Sequence, residues 1–223
     1  MKKEAIIIEG LDEVEIENTS AEDLDSENVC LIFIGIDRSG SMGHYTGDMR
    51  ACLAEFKAAL TDSKEADEIL VARADFDDKI VVGGYKKITE FDTDFYASGM
   101  TALYDVIVSG TEKLKEYREY LRKQGVRVKA VFAIFSDGED TASHENFSEA
   151  KKCVEFLNRE EITTAFVNFG GGAKAEATDL KFRNILDVSS SASELRQAFN
   201  CLSKSVIESS KSVLADGDDF FQI

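Results

Sequence analysis

Nearly continuous apolar runs alternate along this chain with stretches in which apolar residues recur every three or four positions. The first pattern is typical of strands covered on both faces, and the second of amphipathic helices. Strands are predicted over residues 29–37, 68–76, 126–136, 162–169 and 185–188. Helices are predicted over residues 49–60, 101–124, 146–159 and 173–180, and from Ser191 onward.

This alternation of strands and helices predicts an α/β fold with a doubly wound, mostly parallel sheet. Asp77 and Asp78 form a plausible tight turn into residues 79–83, which predicts one antiparallel strand at the edge of that sheet. Gly125 should end the long second helix, and Asn146 with Glu149 should begin the third.

Several polar segments follow directly after predicted strands. Right-handed crossovers place the loops after Asp37, Ser136 and Phe169 at one edge of the sheet. Open α/β sheets hold their ligands at the carboxyl ends of their strands. Any site for chemistry is therefore expected at this edge.

Five oxygen-bearing side chains are predicted to meet there. Asp37, Ser39 and Ser41 follow the first strand, Thr101 stands at the start of the long helix, and Asp137 follows a later buried strand. Carboxylates and hydroxyls are the ligands that Mg²⁺ prefers. The D-x-S-x-S segment by itself also fits an ordinary polar turn, so the prediction depends on Thr101 and Asp137.

The order and spacing of these residues resemble the metal-ion-dependent adhesion site of the von Willebrand factor A (vWA) domain family. The resemblance extends over residues 29–210 and is carried by three segments: Asp37-Arg38-Ser39-Gly40-Ser41, Gly99-Met100-Thr101-Ala102-Leu103-Tyr104 and Phe135-Ser136-Asp137-Gly138. In style the chain is similar to stand-alone bacterial A domains of the cytosol that are associated with tellurium resistance, a stress-resistance function. Met100 departs from the pattern, because many relatives have a small residue there.

This resemblance implies a Rossmann-like fold and a bound Mg²⁺, with Mn²⁺ or Ca²⁺ as alternatives. Ser39, Ser41 and, in a high-affinity state, Thr101 would bind the metal directly, while Asp37 and Asp137 would act largely through water. The family generally binds a Glu or Asp of a partner protein and is not enzymatic. In related domains the last helix shifts to switch affinity, and residues 195–207 are the candidate here.

Length and charge place bounds on this interpretation. The 223 residues suit one domain over 29–210, with an acidic extension over 1–28 and an acidic tail over 211–223. Residues 4–17 resemble a short hairpin, residues 18–28 a polar linker, and the tail either a frayed end or a docking peptide. A net charge of −17 argues against binding nucleic acid or anionic membranes.

A cytoplasmic location is expected, because the sequence shows neither a leader pattern nor a long apolar span. Cys30, Cys52, Cys153 and Cys201 are far apart in apolar patterns, which predicts reduced, buried thiols. The sequence leaves the oligomeric state open.

Two other functions remain open on sequence grounds. Asp37 could be the nucleophile of a metal-dependent phosphoryl-transfer enzyme, although haloacid-dehalogenase-type phosphatases need a second Asp where this chain has Ser39. The chain could also be a structural scaffold with no metal in its site.

Other polar residues near the predicted edge have simpler interpretations. Arg38 is expected to be a solvated loop cation, and Glu139 with Asp140 a solvated acidic loop. His44 and His144 are expected to be exposed near the rim. Residues 170–172, three glycines, are interpreted as a flexible turn.

Overall fold

The structure, a computed structural model, describes residues 18–63, 68–170, 172–188 and 191–211, together with Phe221. The hairpin predicted over 4–17 and nearly all of the predicted tail lie outside these residues.

The described residues form a seven-stranded sheet that is mostly parallel. Strands β1, β2, β5, β6 and β7 run parallel to one another, in the order β2-β1-β5-β6-β7, with β7 at one edge of the sheet. Two short strands, β3 and β4, pair antiparallel with β2. The strands are β1 Asn28–Asp37, β2 Glu68–Phe76, β3 Ile80–Val82, β4 Lys86–Lys87, β5 Arg127–Ser136, β6 Thr163–Phe169 and β7 Asn184–Val188.

Helices cover both faces of this sheet, which confirms the predicted doubly wound architecture. The helices are α1 Thr46–Thr61, α2 Leu103–Lys123, α3 Phe147–Arg159, α4 Lys174–Asp179 and α5 Ala192–Lys211. Helices α1 and α5 pack with one face of the sheet into a first apolar core, and α2, α3 and α4 pack with the other face into a second. Each central strand contributes alternate side chains to the two cores, which explains its continuous apolar sequence.

Local signals at the ends of helices are also confirmed. The Asn146 side chain accepts a hydrogen bond from the Glu149 amide at 3.1 Å, and thereby caps α3. Gly125 has φ +85° and follows α2, where the left-handed conformation favours glycine. Strand β4 was not predicted, since a two-residue strand carries no periodic signal.

The segment interpreted as a linker is in contact with the domain. The Thr19 amide donates to the Tyr85 carbonyl at 2.8 Å, and the Tyr117 hydroxyl donates to the Thr19 carbonyl at 2.6 Å. Ala21 and Leu24 pack against the second core. Residues 18–24 therefore cover part of the α2 face.

The four cysteines form no disulfide. Cys30 and Cys52 are buried, as expected, while Cys153 and Cys201 are half-buried. Among the described residues, none of the helices combines the length and the apolar character needed to cross a bilayer.

One buried charge in this fold has a measurable consequence. Lys113 of α2 is 1% exposed, and its Nζ has no hydrogen-bond partner. Burial lowers the pKa of Lys113 to about 8, although nearby Glu116 opposes the shift. Below that pH the folded protein holds a charged, unpartnered ammonium, which lowers the free energy of unfolding.

We expect Lys113→Met to raise the free energy of unfolding by about 2 kcal/mol near neutral pH. Between pH about 8 and 10.5 the folded state loses the Lys113 proton while the unfolded state keeps it, so this penalty fades as pH rises. Urea unfolding of the wild type and of Lys113→Met, at neutral and at alkaline pH, measures the difference between their free energies of unfolding. The titrations of tyrosines and cysteines affect both proteins equally and cancel in this difference. Lys123→Met, at an exposed position of the same helix, is the control. If the extra stability of Lys113→Met did not shrink at alkaline pH, the buried charge of Lys113 would not be its cause.

Candidate functional site

Asp37 is buried at the end of β1, with both of its carboxylate oxygens engaged. Its Oδ1 accepts the Ser39 amide at 2.7 Å, and its Oδ2 accepts the Ser136 hydroxyl at 2.6 Å. Burial raises the pKa of Asp37 to about 6, although the hydrogen bonds from Ser136 and Ser39 oppose the shift and nearby Asp137 adds to it. The side chain is thus fixed in orientation, and its negative charge is unfavourable without a cation nearby.

Ser39 and Ser41 connect Asp37 to Asp137, and Ser39 is bonded to Asp37 through its backbone amide. The Oγ atoms of Ser39 and Ser41 lie 2.9 Å apart, and the Ser41 hydroxyl donates to Asp137 Oδ1 at 2.9 Å. Ser39 is buried, Ser41 is exposed, and Asp137 is half-buried. Burial raises the pKa of Asp137 as well. Four of the five predicted residues therefore form one continuous set of hydrogen bonds.

Thr101, the fifth predicted residue, lies against the same loops. Its Oγ1 is 4.0 Å from the position that a Cβ on Gly138 would occupy, next to Asp137. The Thr101 amide donates to the Thr141 hydroxyl at 3.0 Å, and its carbonyl accepts the Thr141 and Ala142 amides. This backbone is therefore fixed by the loop that follows β5.

The loop before Thr101 is also attached directly to the Asp37–Ser41 loop. The Ser98 amide donates to the Arg38 carbonyl at 2.6 Å, and the Gly40 amide donates to the Gly99 carbonyl at 3.1 Å. Three segments that are distant in sequence thus meet at the carboxyl edge of the sheet. We refer to Asp37, Ser39, Ser41, Thr101 and Asp137 as the oxygen cluster.

The chemistry of this donor set suits a hard divalent cation. It consists entirely of oxygen, and no lysine or arginine of the described residues forms an ion pair with Asp37 or Asp137. The same part of the chain holds no group of three or more His, Cys, Asp or Glu side chains arranged for a metal. His44 and His144 are exposed, as predicted. The composition therefore fits Mg²⁺ better than Zn²⁺.

The prediction that Arg38 is a solvated cation is wrong. Its side chain is 7% exposed, with Nη2 3.2 Å from Asp77 Oδ2 and Nη1 3.8 Å from Asp75 Oδ2. The guanidinium also lies 3.9 Å from the centre of the Tyr96 ring. Pairing of β1 with β2 places Asp37 opposite Phe76, which brings the acids on either side of Phe76 next to Arg38.

Asp77 extends this contact to the loop that carries Thr101. Its carboxylate also accepts the Ser98 hydroxyl at 3.2 Å and the Lys79 amide at 2.9 Å. Burial raises the pKa of Asp77, but the hydrogen bonds from Lys79, Ser98 and Arg38 outweigh it and hold this pKa below its ordinary value. Arg38 and Asp77 therefore join three loops around the oxygen cluster.

Asp140 was also wrongly predicted to be part of a solvated loop. Its Oδ1 accepts the Ser143 hydroxyl at 2.5 Å and the Tyr104 amide at 3.3 Å, and its own amide donates to Glu176. The Tyr104 hydroxyl donates to the same Glu176 side chain. Glu139 is exposed, as expected. Asp140 thus holds the loop after β5 against the start of α2.

Two further residues, Ser136 and Gly172, shape the site although the sequence did not assign them to it. Ser136 orients Asp37, because parallel pairing of β1 with β5 aligns the ends of these strands. A Cβ on Gly172 would lie 2.7 Å from the Asp137 carbonyl, so only glycine fits there without displacing the Asp137 loop. The sequence signal that could have identified Ser136 is its position at the end of a predicted strand, directly before Asp137. The run of glycines at 170–172 was visible in the sequence, but the close approach of Gly172 to the Asp137 carbonyl was not.

Comparison with solved structures identifies the fold as that of von Willebrand factor type A. A von Willebrand factor type A protein from Catenulispora acidiphila matches with a TM-score of 0.57 and 16% identity, over 82% of this chain and 43% of that chain. The vWF domain of the type V pili tip protein Mfa5 from Porphyromonas gingivalis matches with a TM-score of 0.55 and 11% identity, over 84% and 97%.

A third match is proximal thread matrix protein 1 from the mussel byssus, with a TM-score of 0.58 and 17% identity, over 81% of this chain and 46% of that chain. The chain thus spans less than half the length of two of these three structures. The sequence matches no protein-family model and no curated relative.

Proposed function

We propose that this protein is a Mg²⁺-dependent protein-interaction module that binds an Asp or Glu side chain of a partner through the oxygen cluster. The observation that carries the proposal is the hydrogen-bonded connection from Asp37 through Ser39 and Ser41 to Asp137, with Thr101 beside it. A fold that also occurs in a pilus tip protein is compatible with this role.

The residues divide into two roles in this proposal. The hydroxyls of Ser39, Ser41 and Thr101 would contact the cation directly, and Asp37 and Asp137 would orient them and supply negative charge around them. A bound Mg²⁺ would supply an electrophilic centre for an anionic oxygen, and Mn²⁺ or Ca²⁺ could substitute for it. Neutral hydroxyls leave much of the metal's charge uncompensated, which favours a carboxylate from a partner.

Phosphoryl transfer through Asp37 is less well supported. A nucleophilic carboxylate needs a free oxygen facing the substrate, whereas both oxygens of Asp37 accept hydrogen bonds and the residue is 0% exposed. Ser39 also stands where related phosphatases need their second Asp. We therefore propose binding rather than catalysis.

Calorimetric titration of the full chain with Mg²⁺ tests the metal site. We expect binding in about the millimolar range or tighter, and about a tenfold loss of affinity in Thr101→Ala. Thr61→Ala, which removes an exposed threonine hydroxyl at the end of α1, is the matched control and should bind like the wild type. Thermal unfolding without metal checks that both variants are folded.

Capture of the partner tests the second half of the proposal. Immobilised protein should retain the partner from its native cell lysate in Mg²⁺ and release it on chelation, and Thr101→Ala should retain much less. Capture that is indifferent both to chelation and to Thr101→Ala would refute a metal-dependent interaction.

A further inference from the structure

Large apolar side chains are exposed beside the oxygen cluster. Among the described residues, the large hydrophobic side chains that are prominently exposed are Val81, Tyr96 and Met100, at 55%, 57% and 55%. Single exposed apolar residues are common, but two of these three, Tyr96 and Met100, lie in the one loop that leads to Thr101. We refer to Tyr96 and Met100 as the apolar rim.

The loop that carries the apolar rim is attached to the loop that carries Ser39 and Ser41. Met100 precedes Thr101 in the chain, and the carbonyl of its other neighbour, Gly99, accepts the Gly40 amide between Ser39 and Ser41. Ala97, next to Tyr96, has its Cβ 4.0 Å from the position that a Cβ on Gly43 would occupy. A segment that reached the oxygen cluster would therefore contact this loop.

Tyr96 is preorganised for such a contact. The Arg38 guanidinium lies 3.9 Å from its ring centre, and Arg38 is itself held by Asp77 and Asp75. A rigid aromatic ring loses little conformational entropy on binding, which is why tyrosine is frequent among the dominant residues of interfaces. Met100 has a flexible, polarisable side chain that adapts to the shape of a partner.

Charge restricts what the partner can present. The chain carries a net charge of −17, and exposed Asp78 and Glu139 lie in the loops that surround the oxygen cluster. Asp78 is next to the apolar rim, because its Oδ1 is 2.4 Å from the position that a Cβ on Gly99 would occupy. Two exposed cations are also close, because Lys79 follows Asp78 and the Arg50 Nε donates to the Phe95 carbonyl at 3.0 Å. The metal and these cations could balance one carboxylate, but the net charge of −17 disfavours a partner segment with many acids.

We propose that the partner segment carries one Asp or Glu beside a large apolar residue, in otherwise neutral or basic surroundings. The carboxylate reaches the metal at the oxygen cluster, and its apolar neighbour packs on Tyr96 and Met100. This inference rests on the proposed function, because it assigns the residues that contact the neighbour of the bound Asp or Glu in the partner segment. The apolar rim then contributes affinity and selectivity that the metal contact alone lacks.

Selection from a phage-displayed library of random peptides tests this assignment. The full chain is the bait in Mg²⁺, and bound phage are eluted with a chelator. We expect enriched peptides to contain one acidic residue with a large apolar neighbour and few other acids. In synthetic peptides made from them, replacing the apolar residue with Ser should weaken binding to the wild type about tenfold.

Variants of the apolar rim provide the decisive comparison. Tyr96→Ser with Met100→Ser should lose the preference for the apolar neighbour while keeping Mg²⁺ affinity, because neither residue belongs to the oxygen cluster and Arg38 keeps its ion pairs with Asp75 and Asp77. Val81→Ser removes an equally exposed apolar side chain on β3 and should behave like the wild type. If the chelator-eluted peptides contained acidic residues but showed no preference for an apolar neighbour, the role proposed for the apolar rim would be wrong. The metal-dependent capture of an acid would still be supported. Failure to enrich any chelator-eluted acidic peptide would overturn both.

Discussion

Gly110→Ala should lower the free energy of unfolding by about 3 kcal/mol, because α2 presses its backbone onto the sheet at this residue. A Cβ on Gly110 would lie 2.3 Å from Phe33 Cζ and 3.0 Å from Phe132 Cε2. These two rings are fully buried and stacked with their centres 4.9 Å apart, so they cannot move without disturbing β1 and β5.

Gly110→Ala has two opposing effects on the free energy of unfolding, and the sign of the measured change shows which of them dominates. Replacing glycine by alanine inside a helix normally stabilises it by about 1 kcal/mol, whereas overpacking a core commonly costs about 1–3 kcal/mol and occasionally more. With a backbone so close to two rings we expect overpacking to dominate. Gly47→Ala in α1 is the matched control, because a Cβ there meets no atom within 4 Å.

Urea or thermal unfolding of the two variants measures both effects. Gly47→Ala should be neutral or slightly stabilising. If Gly110→Ala were as stable as the wild type, the close packing of α2 on β1 would be incorrect.

Arg38→Met should lower the free energy of unfolding by about 3 kcal/mol and also weaken Mg²⁺ binding. Without the guanidinium, Asp75 and Asp77 remain close together with 19% and 8% of their side chains exposed, and each loses a cationic partner. Burial already raises the pKa of Asp75, although Arg73 and Arg38 oppose the shift. Repulsion between the Asp75 and Asp77 carboxylates should then displace Asp77. Because Asp77 accepts the Ser98 hydroxyl, this displacement should loosen the loop that carries Ser98 and Thr101.

Arg38→Lys distinguishes charge from shape. Lysine keeps the positive charge but lacks the planar, forked group that reaches two acids and lies over Tyr96, so about half of the stability loss should remain. Arg122→Met, at an exposed position of α2, is the control for removing an arginine.

Unfolding curves and Mg²⁺ titrations of the folded variants measure the two effects separately. A stability for Arg38→Met equal to that of Arg122→Met would show that the buried ion pairs contribute nothing. A loss of stability with unchanged Mg²⁺ affinity would show that Arg38 supports the fold without positioning the site.

Periodicity predicted most of this fold because each element has one dominant packing requirement. The run from residue 29 to residue 36 is almost entirely apolar because helices cover both faces of the sheet at β1. A short, continuous apolar run of this kind is typical of a strand in such a sheet. Helix α2 was equally clear, with Val106, Leu114 and Leu121 on the face that packs against the sheet. Where no such requirement exists, as in the two-residue β4, the sequence carried no signal.

The predicted site residues could be grouped because topology brings the ends of parallel strands to one edge. Knowing that Asp37 and Asp137 both follow buried strands was enough to place them together. Whether a metal binds there stays a prediction. The misinterpreted residues, Arg38 and Asp140, have side chains whose partners lie far away in sequence and are brought close only by strand register and loop packing.

The sequence by itself determined the order of strands and helices, the doubly wound class and the five oxygen-bearing residues at one edge. These follow from periodicity and from the position of polar residues at strand ends, both of which are local properties of the chain. The tertiary structure alone decided that Arg38 is buried, that Gly172 must be a glycine, and that Tyr96 and Met100 stand exposed beside the oxygen cluster. Such features depend on distances between loops, which are fixed only when the strands pair and the helices pack.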